Sequence, residues 1–290
     1  MIINCTDIAE EIDSRLAEGY RLEMIFPADS PRVAELSRGD ETIRLERIST
    51  AIVDGEWHVG RAGMEYRDLI PDRLGGRLIA SHIRIPNGGP IPDYVHYHHV
   101  DFQIIYCLAG TAMVVYQDQG GPFEFSAGDC ILQPPGIRHR VLECSDGFEV
   151  FEVGSPAEHP TFAEHSFDLP NSIVDRDLTY GGQRFVHHRA MDAVTIEVNG
   201  VVKRSTGIRK ASAGAGDVYV LSSDAGSEFA DFGEPNAAIA FISSGTATVS
   251  GNTFEHGEAV VLGGNVQIGP HSQVVVVEVR DADQSIGSNP

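Results

Sequence analysis

Cysteine is scarce in this chain: Cys5, Cys107, Cys130 and Cys144 are the only four, and none forms a Cys-x-x-Cys pair. With no close pair to build a disulfide framework, they read as reduced thiols. Cys107 and Cys130 lie inside apolar runs, where a thiol serves as a small buried hydrophobe. Cations are short as well, with 21 Lys and Arg against 42 Asp and Glu and a formal net charge of −21. Nucleic acid and anionic membrane surfaces both call for clustered basic residues, so neither is expected as a partner. No apolar run reaches the length of a transmembrane helix. Met1-Ile-Ile-Asn-Cys-Thr-Asp has neither the basic region nor the apolar core of a secretory signal, so a cytoplasmic protein is expected.

What the chain does have is a set of histidines in strand register. Gly89 is followed by His96, His98, Gln103 and Gly110 at short fixed gaps, and a second segment reads Gly128, Pro134-Pro135-Gly136, His139. Side chains at i and i+2 share one face of a β-strand, so His96 and His98 point the same way. A histidine from a neighbouring strand can meet them there. Three neutral imidazoles and one oxygen donor suit a divalent ion, with Fe, Mn, Ni, Co and Zn all admissible.

This pair of segments resembles the two signature motifs of the cupin superfamily, over about residues 80–155. The resemblance implies a jelly-roll (double-stranded β-helix) barrel and one bound divalent metal, with His96, His98, Gln103 and His139 as ligands and Fe as the first expectation. Two positions depart from the pattern: Gln103 stands where Glu is usual, and Glu143 where Asn is usual. Gln103 offers a neutral amide oxygen, which either ligates the ion or hydrogen-bonds a water on it.

Around the motifs the chain reads as all-β, with short runs such as 78–85, 102–115, 129–133 and 148–153 between Gly, Pro and Asp breakers. One helix is predicted over 6–18, from Ile8, Ile12 and Leu16 at helical spacing and a capping box of Asp7 and Glu10. The second half echoes the first: Ala109-Gly-Thr-Ala-Met-Val-Val matches Ser244-Gly-Thr-Ala-Thr-Val-Ser at an offset of 135. Such a repeat points to duplication of one unit, hence two barrels in tandem. The expected layout is a helix and arm at 1–39, a metal-bearing barrel at 40–160, a linker at 161–182, a degenerate barrel at 183–282 and a disordered tail at 283–290. The same offset sets Asp231, Gly233 and Ala238 where His96, His98 and Gln103 stand, and counting from Gly257 sets Ile268 in place of His139. The second barrel is therefore expected to hold no metal. His159, His165, His187 and His188 fit no ligand spacing and are expected to be solvent-exposed, as is His271.

His99 and Arg138 alternate away from their neighbours and should point outward. For catalysis the candidates are Arg84, a fork for a substrate carboxylate if its face turns inward, and Tyr94, a proton donor; Tyr97 is a weaker one. A barrel of this size holds one small ligand. The resemblance favours a metal-dependent enzyme, first a non-haem dioxygenase-type oxidoreductase on a small carbonyl- or hydroxyl-bearing acid. The alternatives are a redox-neutral lyase or isomerase on a sugar acid or keto compound, or a metabolite-binding cupin without catalysis. A homodimer is expected, with the apolar arm at 20–27 as the proposed contact.

Overall fold

The computed structural model describes residues 1–48, 55–232 and 237–280. Gly233 and the tail at 283–290 lie outside the described residues. The architecture is strands throughout with three short helices. The N-terminal helix forms as Ile8–Ala17, and the Asp7 side chain caps it by accepting from the backbone N–H groups of Ala9 and Glu10. Its buried Ile8 packs on Leu36, Ile43 and Leu45 of the adjoining sheet.

Two sheets make the first barrel. One carries, in spatial order, Ile2–Cys5, Glu41–Arg47, Val33–Arg38, Arg21–Phe26, Thr161–Ala163, His96–His98, His139–Cys144, Thr111–Tyr116 and Phe123–Ser126. The other runs Val186–His188, Cys130–Leu132, Phe102–Ala109, Phe148–Ser155, Ile79–Ile85, Glu65–Asp68 and His58–Val59. Between them lies an apolar core that includes Met64, Ile83, Phe125, Ile131 and Phe148.

These pairings redraw the expected boundaries. The arm Arg21–Phe26 has both edges occupied within the chain, by Val33–Arg38 and by Thr161–Ala163, so it covers its own barrel and leaves no free edge for strand exchange. Residues 161–163 belong to the sheet that carries His96, His98 and His139 rather than to a linker, and Val186–His188 completes the first barrel by pairing with Cys130–Leu132. A strand edge left unpaired would expose its amides, and the connector supplies the missing neighbour.

The second barrel repeats the wiring of the first. Phe102–Ala109 lies between Cys130–Leu132 and Phe148–Ser155, while Ala237–Ser244 lies between Ala259–Val261 and Ser272–Val279. Even the register shifts coincide, at Cys107/Ala109 and at Ile242/Ser244, each pair 135 residues apart. The interior of the second barrel is filled by Val201, Tyr219, Leu221, Phe229, Ala247, Ile268, Val274 and their neighbours.

The barrels pack sheet to sheet. Strand alternation sends Ile104, Tyr106, Phe151 and Val153 out of the first barrel to meet Val218, Val220, Phe241, Val275 and Val277 of the second. Phe151 and Phe241 stack with ring centroids 4.8 Å apart. The approach is tightest at Gly216, where a Cβ would lie 2.4 Å from the Phe102 ring. Apolar faces that a lone barrel would expose are thus covered by one another. No helix among the described residues is long and apolar enough to cross a membrane.

Candidate metal centre and its cavity

His96 and His139 are direct partners across two antiparallel strands, and His98 follows at i+2 on the same face as His96. One ring nitrogen from each of the three lies within 4.8 Å of the others, and all three residues are buried. Each Nδ1 is already engaged: with the Tyr94 carbonyl at 2.7 Å for His96, the Ile137 carbonyl at 3.0 Å for His139, and the Thr161 hydroxyl at 2.8 Å for His98. For His96 and His139 the carbonyl demands a protonated Nδ1, which leaves the Nε2 lone pair for a ligand.

A metal fits these residues. The Nε2 of His96 is buried without any hydrogen-bond partner, a costly arrangement unless an ion accepts its lone pair. Burial, reinforced by the neighbouring rings and Arg61, holds His96 and His98 well below the usual imidazole range, and burial lowers His139 to about 4. Neutral imidazole is the ligating form. A divalent ion would be held by His96, His98 and His139.

Gln103 is buried beside them and committed to a hydrogen-bond chain. Its Oε1 accepts from Gln133 Nε2 at 2.8 Å, and Gln133 Oε1 accepts from the Tyr116 hydroxyl at 2.8 Å. The Gln103 side chain also pulls the Glu152 carboxyl down. One lone pair of Gln103 Oε1 therefore remains for an ion or its water.

Glu152 was not anticipated from the sequence. It shares a strand face with Phe148 and Val150, and all three line a cavity of about 80 Å³ with His98, His139 and Gln133. Burial pushes its carboxyl up to about 7, against the opposing pull of Gln103 and Arg61. What surface it retains faces this cavity and a smaller one of about 30 Å³, lined also by Asp29, His98 and His159. A solitary acid on an otherwise apolar strand face was the available signal.

Arg61 was missed too, since it sits on a short turn with no motif. Its guanidinium is paired with Asp93, whose side chain is fully enclosed. Burial opposes the charge, yet the Asp93 carboxylate holds Arg61 cationic. Asp93 Oδ1 also accepts from the Tyr94 amide, and Oδ2 from the Val141 amide at 3.0 Å.

Other expected residues fall elsewhere. Arg84 faces away from the cavity, bound to Glu65 at 2.5 Å and lying 3.9 Å over the Trp57 ring, because the inward positions of its strand are Ile83 and Ile85. Its partner in parity, His82, faces outward with it and meets Glu149 at 2.8 Å. Tyr94 contributes its backbone carbonyl to His96 rather than its hydroxyl, and its ring meets that imidazole edge-on at 5.6 Å. His99 is exposed, and Arg138 turns outward to Glu164. Tyr97 stacks on Phe162.

His159 is not a solvent-exposed linker residue. It is 3% exposed and its ring abuts His98 at 5.5 Å, because residues 161–163 draw the connector into the sheet. His187 is likewise engaged, with Asp129 at 2.9 Å and stacked on Phe123. His271 is exposed, as expected.

In the second barrel, strand register revises one equivalence. Val114 pairs with Val141 and Val249 with Val266, so the position two residues before Val266, Gly264, corresponds to His139. Ile268 corresponds instead to Cys144, since both face the matching alanines Ala247 and Ala112. The simple count is displaced because the connection from Ala259–Val261 to Val266–Ile268 is shorter than that from Cys130–Leu132 to His139–Cys144. Asp231 is exposed, Ala238 is buried, and neither Gly264 nor Ile268 carries a ligating side chain.

The fold is two β-barrels in tandem, and among the described residues the first alone carries the histidine cluster. Residues 81–151 match the family model of the cupin domain. Among solved structures, the chain resembles protein Ylba from E. coli, at 13% identity and a TM-score of 0.52 over 88% of this chain and 93% of that one. It also resembles a salicylate 1,2-dioxygenase from Pseudaminobacter salicylatoxidans, at 13% identity and a TM-score of 0.56 over 74% and 76% of the two chains. The oxalate decarboxylase of Bacillus subtilis aligns at 15% identity and a TM-score of 0.53 over 79% and 75%. At such identities the likeness is one of fold. No curated protein matches the sequence.

Proposed function

We propose that this chain is a metal-dependent cupin enzyme, of the non-haem dioxygenase type, acting on a small hydroxyl- or carbonyl-bearing acid. The observation that carries the reading is the cluster of three convergent histidines, of which His98 and His139 line a cavity walled by Met64, Ile83, Ile85, Phe125, Phe148 and Val150. Walls of that kind suit an aromatic or β-diketone body and offer few partners to the hydroxyls of a sugar acid. A bound Fe(II) would supply the chelation and oxygen chemistry of such enzymes. The protein's own groups hold the substrate, exclude water and manage a proton. Glu152 is the one acid among the cavity-lining residues, and a carboxyl held near neutrality suits proton exchange with a substrate hydroxyl.

That same carboxyl favours the second reading, a redox-neutral lyase or isomerase, because proton transfer alone requires no oxygen. Oxygen uptake decides between them. The Fe(II)-loaded protein is expected to consume oxygen with a hydroxy-aromatic acid or a β-diketone, and His96→Ala to abolish it. Equal turnover under strict anaerobiosis with Zn or Ni would establish the redox-neutral reaction instead.

A further inference from the structure

We infer that Arg61 is the anchor for a substrate carboxylate, so that the cavity selects monoanionic carboxylic acids with an apolar body. The inference rests on the enzyme reading above and names the substrate class for that same cavity. Arg61 lines the cavity beside His98 and Glu152. A guanidinium carries five N–H donors. One edge, through Nη1, is spent on Asp93, and no other side-chain hydrogen bond joins the Arg61 guanidinium to the described residues. Neither Nε nor Nη2 is among the buried polar atoms lacking a partner, so the unused edge faces open space rather than packed protein.

Asp93 acts as a peg. Its two oxygens are held by backbone amides of Tyr94 and Val141, so the carboxylate cannot swing, and the guanidinium it grips cannot either. The remaining Nε/Nη2 pair is the geometry that binds a carboxylate through two parallel hydrogen bonds. Charge points the same way. Three neutral imidazoles bring no negative charge to an ion, and Asp93 is already matched by Arg61. An incoming anion is the missing counter-charge. A dianion such as a phosphate monoester is disfavoured, because Glu152 lies on the same wall and the other walls are apolar.

The test compares benzoate with benzamide, which differ little in shape and wholly in charge, by calorimetry on the metal-loaded protein. The parent chain should bind benzoate at least about tenfold more tightly than benzamide, as expected for a charge-assisted fork. Arg61→Gln should bring that ratio to about one while leaving benzamide affinity within about twofold. Because Arg61→Gln strands Asp93 in the interior, the double variant Arg61→Gln/Asp93→Asn removes both charges and should lose the preference equally. A preference for benzoate that persists in both variants, or no preference in the parent chain, overturns the inference. An Arg61-dependent preference without oxygen uptake on any acid would leave the anchor standing and remove the dioxygenase reading.

Discussion

Gln133 Nε2 donates to Gln103 Oε1 across 2.8 Å, and this bond sets which way the Gln103 amide faces. With its oxygen turned to Gln133, Gln103 also pulls the Glu152 carboxyl down. The chain from Tyr116 to Gln103 thus has a single polarity, each donor aimed toward Gln103.

Breaking that chain at its middle should be costly. Gln133→Leu strands the buried Tyr116 hydroxyl and frees the Gln103 amide to flip. A loss of about 1–3 kcal/mol in unfolding free energy is expected, measured by urea denaturation. An unchanged midpoint would show that the chain contributes nothing.

Metal retention should depend on His98 directly and on Thr161 by way of His98. His98→Ala is expected to reduce bound metal from about one per chain to a trace, as read by elemental analysis after dialysis. Thr161→Val removes the hydroxyl that positions the ring, and should weaken metal binding by about 10- to 100-fold. Full metal content in His98→Ala would refute the assignment.

Glu164 ties the connector to Arg138, the residue before His139, at 2.8 Å. Hydrogen bonds from the Ser166 side chain and backbone, then Arg138, bring its carboxyl down to about 2 from 4.5. A depressed carboxylate stabilises the fold above its unfolded pKa and loses that contribution as pH falls through the folded value. Glu164→Gln should therefore melt below the parent chain at pH 7. The gap should close as pH drops from about 4.5 to about 2; a gap independent of pH would contradict it.

The barrel interface should behave as core. Phe241→Ala removes a ring stacked on Phe151 and in edge contact with His82 at 5.7 Å. A loss of about 3–5 kcal/mol is expected. The parent chain should unfold in one transition, since the largest apolar cluster contains residues of both barrels. Two separated calorimetric transitions would show the barrels to be independent.

Much of this was readable in the residues. His96, His98 and His139 converge because strand periodicity and paired glycines dictate it, and the 135-residue echo reappears as matching bulges. What resisted was parity. Whether Arg84 or Ile83 faces inward is set by pairing with Phe148–Ser155, whose register no local pattern near residue 84 encodes. Arg61 and Glu152 meet at the cavity across 91 residues of sequence, without a motif. His159 was misjudged because a polar, proline-bearing stretch looks like linker until Thr161–Ala163 finds its partner strand.

The strand Thr161–Ala163 also fixes when the centre can exist. It inserts between Arg21–Phe26 and His96–His98, and it carries the hydroxyl bound to His98. On a ribosome the three histidines emerge well before Thr161 does. Until that residue leaves the exit tunnel, His98 lacks its brace and the sheet around it has a gap. The centre is thus completed late in the synthesis of the first barrel, by a segment made after all three histidines.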